Sequence, residues 1–370
     1  MATRGDSSAP STNTDYYDAL LSTTLMAYRK TMYDNIFKDS AVLAYLRMTD
    51  AVITQNGGER VALPLMYGKN STVGVHSGYD IIDTTPQDGM TTAFYEWAEV
   101  AGSISISRKE ERQNSGEGRL LNLLEQKTKQ AEMTMREELN EGLVLGKVSS
   151  STFVPKTSIS GADGLNPLGY FLRKVPSTDP IAGGNVGNIS GSTYDWWRHH
   201  VADASNGAAP TAGDFGLSVS TYAGLLVALK RMYNYCSRGS GGSPDLAICD
   251  QVTYETYENA MDVKVRYTNT KMADMGFDNV KLRGATVIWD EQVPDVENAT
   301  AAITTGTAFY LNTNFFKLVI DSETDIVTTP FVEPENQTAK TAKVLFMGQT
   351  AVSNLRKHGC LWGLPQSTVA

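Results

Sequence analysis

Two stretches of strand-like alternation, held apart by a long connection with no helical period, constrain this chain more than any other feature. Val61, Leu63 and Leu65 alternate with their neighbours, and Ser103, Ile104, Ser105, Ile106 and Ser107 alternate again. That is the period of a strand with one covered face. Phe94, Tyr95 and Trp97 place β-favouring aromatics ahead of the second arm. Between the arms runs YGKNSTVGVHSGYDIIDTTPQDGMTT, residues 67–92, punctuated by Gly68, Gly74, Gly78 and Gly89. A connection that long in a compact domain is functional or disordered, and a lone two-stranded ribbon is marginal in water. The Val, Ile, Phe, Tyr and Trp side chains of the ribbon therefore need a cover. Two covers are open: the ribbon's own domain, or a neighbouring subunit.

Residues 108–147 carry the longest helical signal. Leu120, Leu124, Ala131, Met135, Leu139 and Leu143 fall four or seven apart, on one face. Arg108, Lys109, Arg112, Arg119, Lys127, Lys129, Arg136 and Lys147 are matched by an equal number of glutamates over the same span. A helix over 118–145 would run roughly 40 Å, a scaffold's length. Residues 15–50 read as shorter helices, stopped by Asn56-Gly57-Gly58. Residues 1–14 are small and polar, a flexible arm in which Arg4-Gly5-Asp6 reads as a chance triplet.

The second half is of another texture. Residues 148–215 are rich in Ser, Thr, Gly, Pro and Asn, and GGNVGNISG (183–191) reads as a Gly-rich turn, because it lacks the Lys-Ser/Thr ending of a phosphate loop. Trp196 and Trp197 read as anchors of a core or interface rather than a ligand platform, and adjacent His199 and His200 diverge in any regular element. Residues 217–300 alternate helix and strand, a separate α/β domain. Residues 307–364 return to strands, and Arg356-Lys357-His358 reads as a solvated strand end.

Composition removes several classes of function. The 370 residues carry 41 acids against 32 bases, net −9 with a pI near 5.1. Coating nucleic acid or an anionic membrane surface needs the opposite sign. Cys236, Cys249 and Cys360 are too few and too scattered for a disulfide framework or a structural zinc site, which fits a reducing cytoplasm. The sequence shows no apolar leader and no run long enough to span a bilayer. No catalytic triad, HExxH, GxSxG or phosphate-loop pattern is present, so the expectation is no enzyme and no catalytic, cofactor or metal residues.

The order of elements, with local motifs, carries a resemblance. Asp195-Trp196-Trp197-Arg198 follows the irregular region. Asp274-Met275-Gly276-Phe277 precedes Val280-Lys281-Leu282-Arg283-Gly284 and Trp289-Asp290-Glu291. Tyr310-Leu311-Asn312-Thr313 precedes Phe316-Lys317-Leu318, and GQTAVSNLRKHG closes the series at 348–359. The chain resembles tailed-bacteriophage major capsid proteins of the Hong Kong 97 type. The resemblance implies an α+β fold with an N-terminal arm (1–35), a first part of the peripheral domain (36–55) and an extended β-hairpin loop (56–107). It further implies a peripheral segment with the long spine helix and an irregular insertion (108–194), an axial domain (195–305) and return strands of the peripheral domain (306–370).

The implied function is structural: self-assembly into hexamers and pentamers of an icosahedral head shell. That shell encloses double-stranded DNA without reading its sequence, in a virion put together in the host cytoplasm. Implied partners are other copies, a scaffolding protein, a portal and a possible decoration protein, with no cofactor and no membrane. Intersubunit contact would fall on Glu59, Arg60, Lys69, Tyr79, Phe94, Trp97, Glu99, Arg108 and Lys109. An encapsulin-like cargo compartment shares the implied fold, and a glycan-binding surface adhesin is the alternative from another class.

Overall fold

The computed structural model describes residues 41–113, 123–149, 152–156, 164–173, 185–204, 215–216, 219, 222–261, 280–293, 306–335 and 337–364. The expected arm at 1–35, Leu120 and the motif at 274–277 lie outside them. In chain order the elements are α1 (Ala41–Met48), β1 (Val52–Gln55), β2 (Val61–Met66), β3 (Met90–Tyr95), β4 (Ala98–Ser107), α2 (Arg108–Gln113) and α3 (Leu123–Val144). There follow β5 (Lys147–Ser149), β6 (Thr152–Val154), α4 (Leu168–Phe171), β7 (His200–Asp203), β8 (Phe215–Gly216) and α5 (Tyr222–Cys236). The rest are β9 (Leu246–Cys249), α6 (Gln251–Met261), β10 (Val280–Leu282), β11 (Ala285–Trp289), β12 (Ala308–Leu311), β13 (Phe316–Asp321), β14 (Val327–Thr328), β15 (Ala339–Val352) and β16 (Gly359–Trp362).

The chain divides into two compact units, the smaller built, among the described residues, from parts of 102–134 and 328–344. The larger unit is organised by a seven-stranded mixed sheet in the order β10-β11-β9-β12-β16-β7-β8. Its central strands β9, β12 and β16 are short and buried along their whole length, because both faces are covered. Ala247, Cys249, Val287, Tyr310 and Leu361 pack with Leu225, Leu229 and Met232 of α5 and Tyr254 and Tyr257 of α6. The alternate residues Leu246, Ile248, Ile288, Phe309 and Cys360 pack with Val42 and Leu46 of α1, Leu143 near the end of α3, and Phe316 and Val352. Asp250 starts α6 by accepting the Thr253 N–H at 3.2 Å, an N-cap made by the residue just past β9. A second sheet joins β1 to β13 in parallel and β13 to residues 348–352 of β15 in antiparallel register.

Three expectations are corrected here. The strand read at 103–107 exists within β4, but β4 pairs with β15; the ribbon is β2 with β3, in register from Val61↔Tyr95 to Met66↔Met90. Alternation fixes which face a strand buries, not which strand it pairs with. The strands β12 and β16 do not return to a separate sheet: β12 lies between β9 and β16 inside the seven-stranded sheet, so the division at 305/306 is not a sheet boundary. Lys357 is not solvated. It is 2% exposed, and its Nζ donates to the carbonyls of Arg238, Gly239 and Gly242 at 2.9, 3.2 and 3.1 Å. A buried ammonium needs that full set of acceptors.

Among the described residues the long helical signal is seen as α2 and α3. Along α3, Leu124 and Ala131 are half-buried, whereas Met135, Leu139 and Leu143 are buried. Beside them Asn140 donates to the Asp290 carboxylate at 3.0 and 3.2 Å, and burial still holds that carboxyl above its ordinary range. Leu139→Asp, which puts a carboxylate at a position 1% exposed, should cost at least about 4 kcal/mol and leave little native protein. Leu124→Asp should cost about 1 kcal/mol or less. Urea unfolding of both variants checks the contrast.

Candidate intersubunit surface

The ribbon is buried on one side and bare on the other. Val61, Leu65, Ala93 and Tyr95 belong to the core, while Ala62, Pro64, Met66 and Phe94 point to the exposed face. Its root is tied at several points. The Tyr95 hydroxyl donates to the Val352 carbonyl at 2.8 Å, Trp97 Nε1 donates to the Gly58 carbonyl at 2.8 Å, and Arg60 Nε pairs with Glu96 Oε1 at 2.8 Å. The turn read at 183–191 is a tight turn over the described residues 185–190, closed by a Val186↔Ile189 bridge, and its Gly187 carbonyl accepts the Phe94 N–H at 3.1 Å. Gly187 has φ +58°, and a Cβ there would stand 2.9 Å from Ala93 Cβ and 3.1 Å from the Tyr95 hydroxyl. Gly187→Ala should therefore lower stability by about 2 kcal/mol in thermal unfolding, through strain and the displaced Tyr95.

At the outer end of the ribbon the two strands close on a pair of glycines. Tyr67 N–H and Gly68 N–H both donate to the Gly89 carbonyl, at 2.9 and 3.3 Å, and a Cβ on Gly68 would lie 3.0 Å from Gly89 Cα. Beyond this pinch, the loop is held by bonds within itself: Ser71 Oγ donates across it to Gln87 Oε1 at 2.8 Å, and the rest are short-range. Asn70 Oδ1 accepts from the Thr72 N–H at 2.9 Å, Asp80 Oδ2 from the Ser77 N–H at 2.8 Å, and Asp83 Oδ1 from the Thr85 N–H at 3.0 Å. Yet Val73, Val75, Tyr79 and Ile81 stand fully or nearly fully exposed, with Ile82 59% exposed beside them. Apolar side chains grouped on an ordered, uncovered loop mark a contact surface.

The anticipated contact residues fall in different places. Glu59, Arg60, Lys69, Tyr79, Phe94 and Glu99 are exposed on the ribbon, its loop or the adjoining segments, and Trp97 is half-buried at the root. Arg60 already has its acid partner within the ribbon. Arg108 and Lys109 are exposed on the first turn of α2, in the smaller unit, where neighbouring Glu110 and Glu111 pair with Lys127 at 3.2 Å and Lys340 at 2.8 Å. Met66, Val73, Val75, Ile81, Ile82 and Met90 join Tyr79 and Phe94 as exposed apolar side chains; the valines and isoleucines belong to the types whose need for a cover the sequence shows, without fixing which of them stay bare.

Trp196 stacks on Tyr67 at 5.1 Å and 15°, while Trp197 is buried with its Nε1 donating to the Val186 carbonyl at 3.0 Å. The adjacent indoles thus part company, as do the histidines after them. His199 is enclosed, its Nε2 donating to the Arg173 carbonyl at 2.6 Å, and burial followed by the Arg173 charge pushes it down to about 3. His200 falls to about 4 through burial and the charges of Arg356, Arg238 and Lys357. Burial pushes the Cys236 and Cys249 thiols up, which makes them poor nucleophiles. Among the described residues no group of three or more His, Cys, Asp and Glu is placed to hold a metal ion, and no helix is long and apolar enough to cross a membrane.

No known protein-family profile matches the chain, and no curated protein sequence does. Its fold does have likenesses among solved structures. The capsid of cyanophage A-1(L) aligns over 93% of this chain and 99% of its own, with a TM-score of 0.60 at 13% identity. The capsid of the Myoviridae phage XM1 aligns over 92% and 97%, with a TM-score of 0.56 at 11% identity. The SrpI encapsulin of Synechococcus elongatus PCC 7942 aligns over 95% and 97%, with a TM-score of 0.55 at 10% identity. The chain has the α+β fold of these shell proteins, of the Hong Kong 97 type implied by its sequence motifs.

Proposed function

We propose that this chain is the major capsid protein of a tailed phage, many copies of which close into the icosahedral head around double-stranded DNA. The observation that carries the reading is the outstretched loop: its apolar side chains are ordered and uncovered on a fold otherwise shared, end to end, with shell-forming proteins. Covering about 400 Å² of apolar surface contributes about 10 kcal/mol before ordering costs. A modest net gain per contact is sufficient, because each subunit grips several neighbours and the ring closes. Hexamers and pentamers, a scaffolding protein and a portal, and residence in the virion belong to this proposal.

Electron microscopy of the purified chain tests it. Closed shells, with nuclease-protected DNA when they are made during phage growth, are the expected result. A stable monomer at millimolar concentration, with the loop folded onto its own body in solution scattering, overturns it. The encapsulin likeness supports a second reading, a shell around an enzyme cargo. Co-purifying protein in place of DNA would decide for that reading.

A further inference from the structure

Beside the outer end of the ribbon the larger unit holds an open cavity of about 430 Å³. Met66, Tyr67, Trp196, Phe315, Asn354 and Arg356 are among its lining residues. The stacked Tyr67 and Trp196 rings bring a flat apolar wall to the site. Arg356 adds an exposed guanidinium, and among the described residues it makes no ion pair. Such a site suits a short apolar segment that carries a carboxylate.

The loop of this same chain has that chemistry. Ile81 and Ile82 form an exposed aliphatic pair with Asp80 before them and Asp83 after them. Their turns are already fixed by the bonds from Ser77 and Thr85, so little ordering cost remains. The Thr85 bonds also hold the Asp83 carboxyl below its ordinary range. The loop does not fill the cavity of its own chain: Ile81 and Ile82 stand exposed and are not among its lining residues. Tyr67 lines that cavity and also begins the loop, and the bonds of Tyr67 and Gly68 to Gly89 send the loop outward.

We propose that this cavity is the receptor for the Asp80-Ile81-Ile82-Asp83 tip of a second copy, with the two isoleucines against Tyr67, Trp196 and Phe315 and a tip carboxylate on Arg356. The contact is heterologous: one copy supplies the tip and the other the cavity. Repetition therefore closes a ring, or runs on as a filament if the rotation does not close. The inference rests on the shell reading above and names where its loop contact is received.

Single-cysteine variants Ile82→Cys and Ser353→Cys, mixed before assembly and treated with a short bismaleimide, test the geometry. The three native cysteines are buried and should stay silent. A covalent dimer should form in the assembled mixture and not with either variant alone. Arg356→Glu should lower assembly by about tenfold or more, and Asp80→Lys or Asp83→Lys in the same chain should restore it. Normal shells without the covalent dimer overturn the inference and leave the shell reading standing. A link formed only within one chain, when both cysteines are placed in it, also overturns the inference. Failure of the unsubstituted protein to form any particle removes the shell reading, and the inference with it.

Discussion

Excising residues 69–88 and joining Gly68 to Gly89 through a two-residue turn should yield a folded subunit that no longer assembles. The glycine pinch already brings the cut ends together, so β2 and β3 keep their register and their buried face keeps Val61, Leu65, Ala93 and Tyr95 in the core. Thermal unfolding of the excised chain should lie within a few degrees of the intact monomer, since the removed residues touch little beyond themselves. Sedimentation should show the change: shells for the full chain, and monomers or small oligomers for the excised one, at concentrations where assembly is otherwise complete. Full-sized shells from the excised chain would show that the loop is not the grip.

Acid should unfold this subunit over a range in which most proteins are near their best. His199 and His358 are both enclosed, and each is pushed down to about 3, by burial in both cases and by the Arg173 charge as well for His199. The Asn312 N–H donates to His358 Nδ1 at 3.2 Å, so a proton on that nitrogen would meet a donor. The unfolded chain, whose imidazoles titrate near 6.5, takes up protons first. Stability is therefore whole above about pH 6.5, falls as the pH drops below it, and levels off near pH 3. By pH 4.5 each of these two rings should have withdrawn about 3 kcal/mol, a large part of a typical domain's stability. Ordinary carboxylates contribute little above that pH, which leaves the interval to the histidines. His200, pushed down to about 4, adds a similar loss over the same interval, so His358→Gln should lower the slope of urea stability against pH between 6.5 and 4.5 by about a third. A flat profile in the unsubstituted protein would refute the account.

What could be read from the residues was local. The alternation of Val61, Leu63 and Leu65, the apolar run at Leu246–Cys249 and the amphipathic stretch at Tyr222–Cys236 each declare their element, because burial of one face leaves a period in the sequence. The long polar connection with its embedded isoleucines showed that apolar side chains there would need a cover, and the structure leaves Ile81 and Ile82 exposed. Partnership was not legible. Nothing near Ser103–Ser107 says that β15 is its mate, and nothing near Phe309 says that it will lie between Ile248 and Cys360, because those pairings are set by the whole chain. Lys357 misled for a similar reason: the carbonyls that enclose it come from a loop more than a hundred residues earlier.

The place of β16 has a consequence for how the subunit is made. It stands inside the seven-stranded sheet, parallel to β7 and antiparallel to β12, and its partner β7 was synthesised some hundred and fifty residues before it. Until residue 362 leaves the ribosome, β7 and β12 have a gap between them and both present open edges. Nascent and prematurely terminated chains therefore lack a finished central sheet, and unpaired edges of this kind invite aggregation. The fold thereby acts as its own inspector, since a truncated chain has no finished sheet on which to mount the loop.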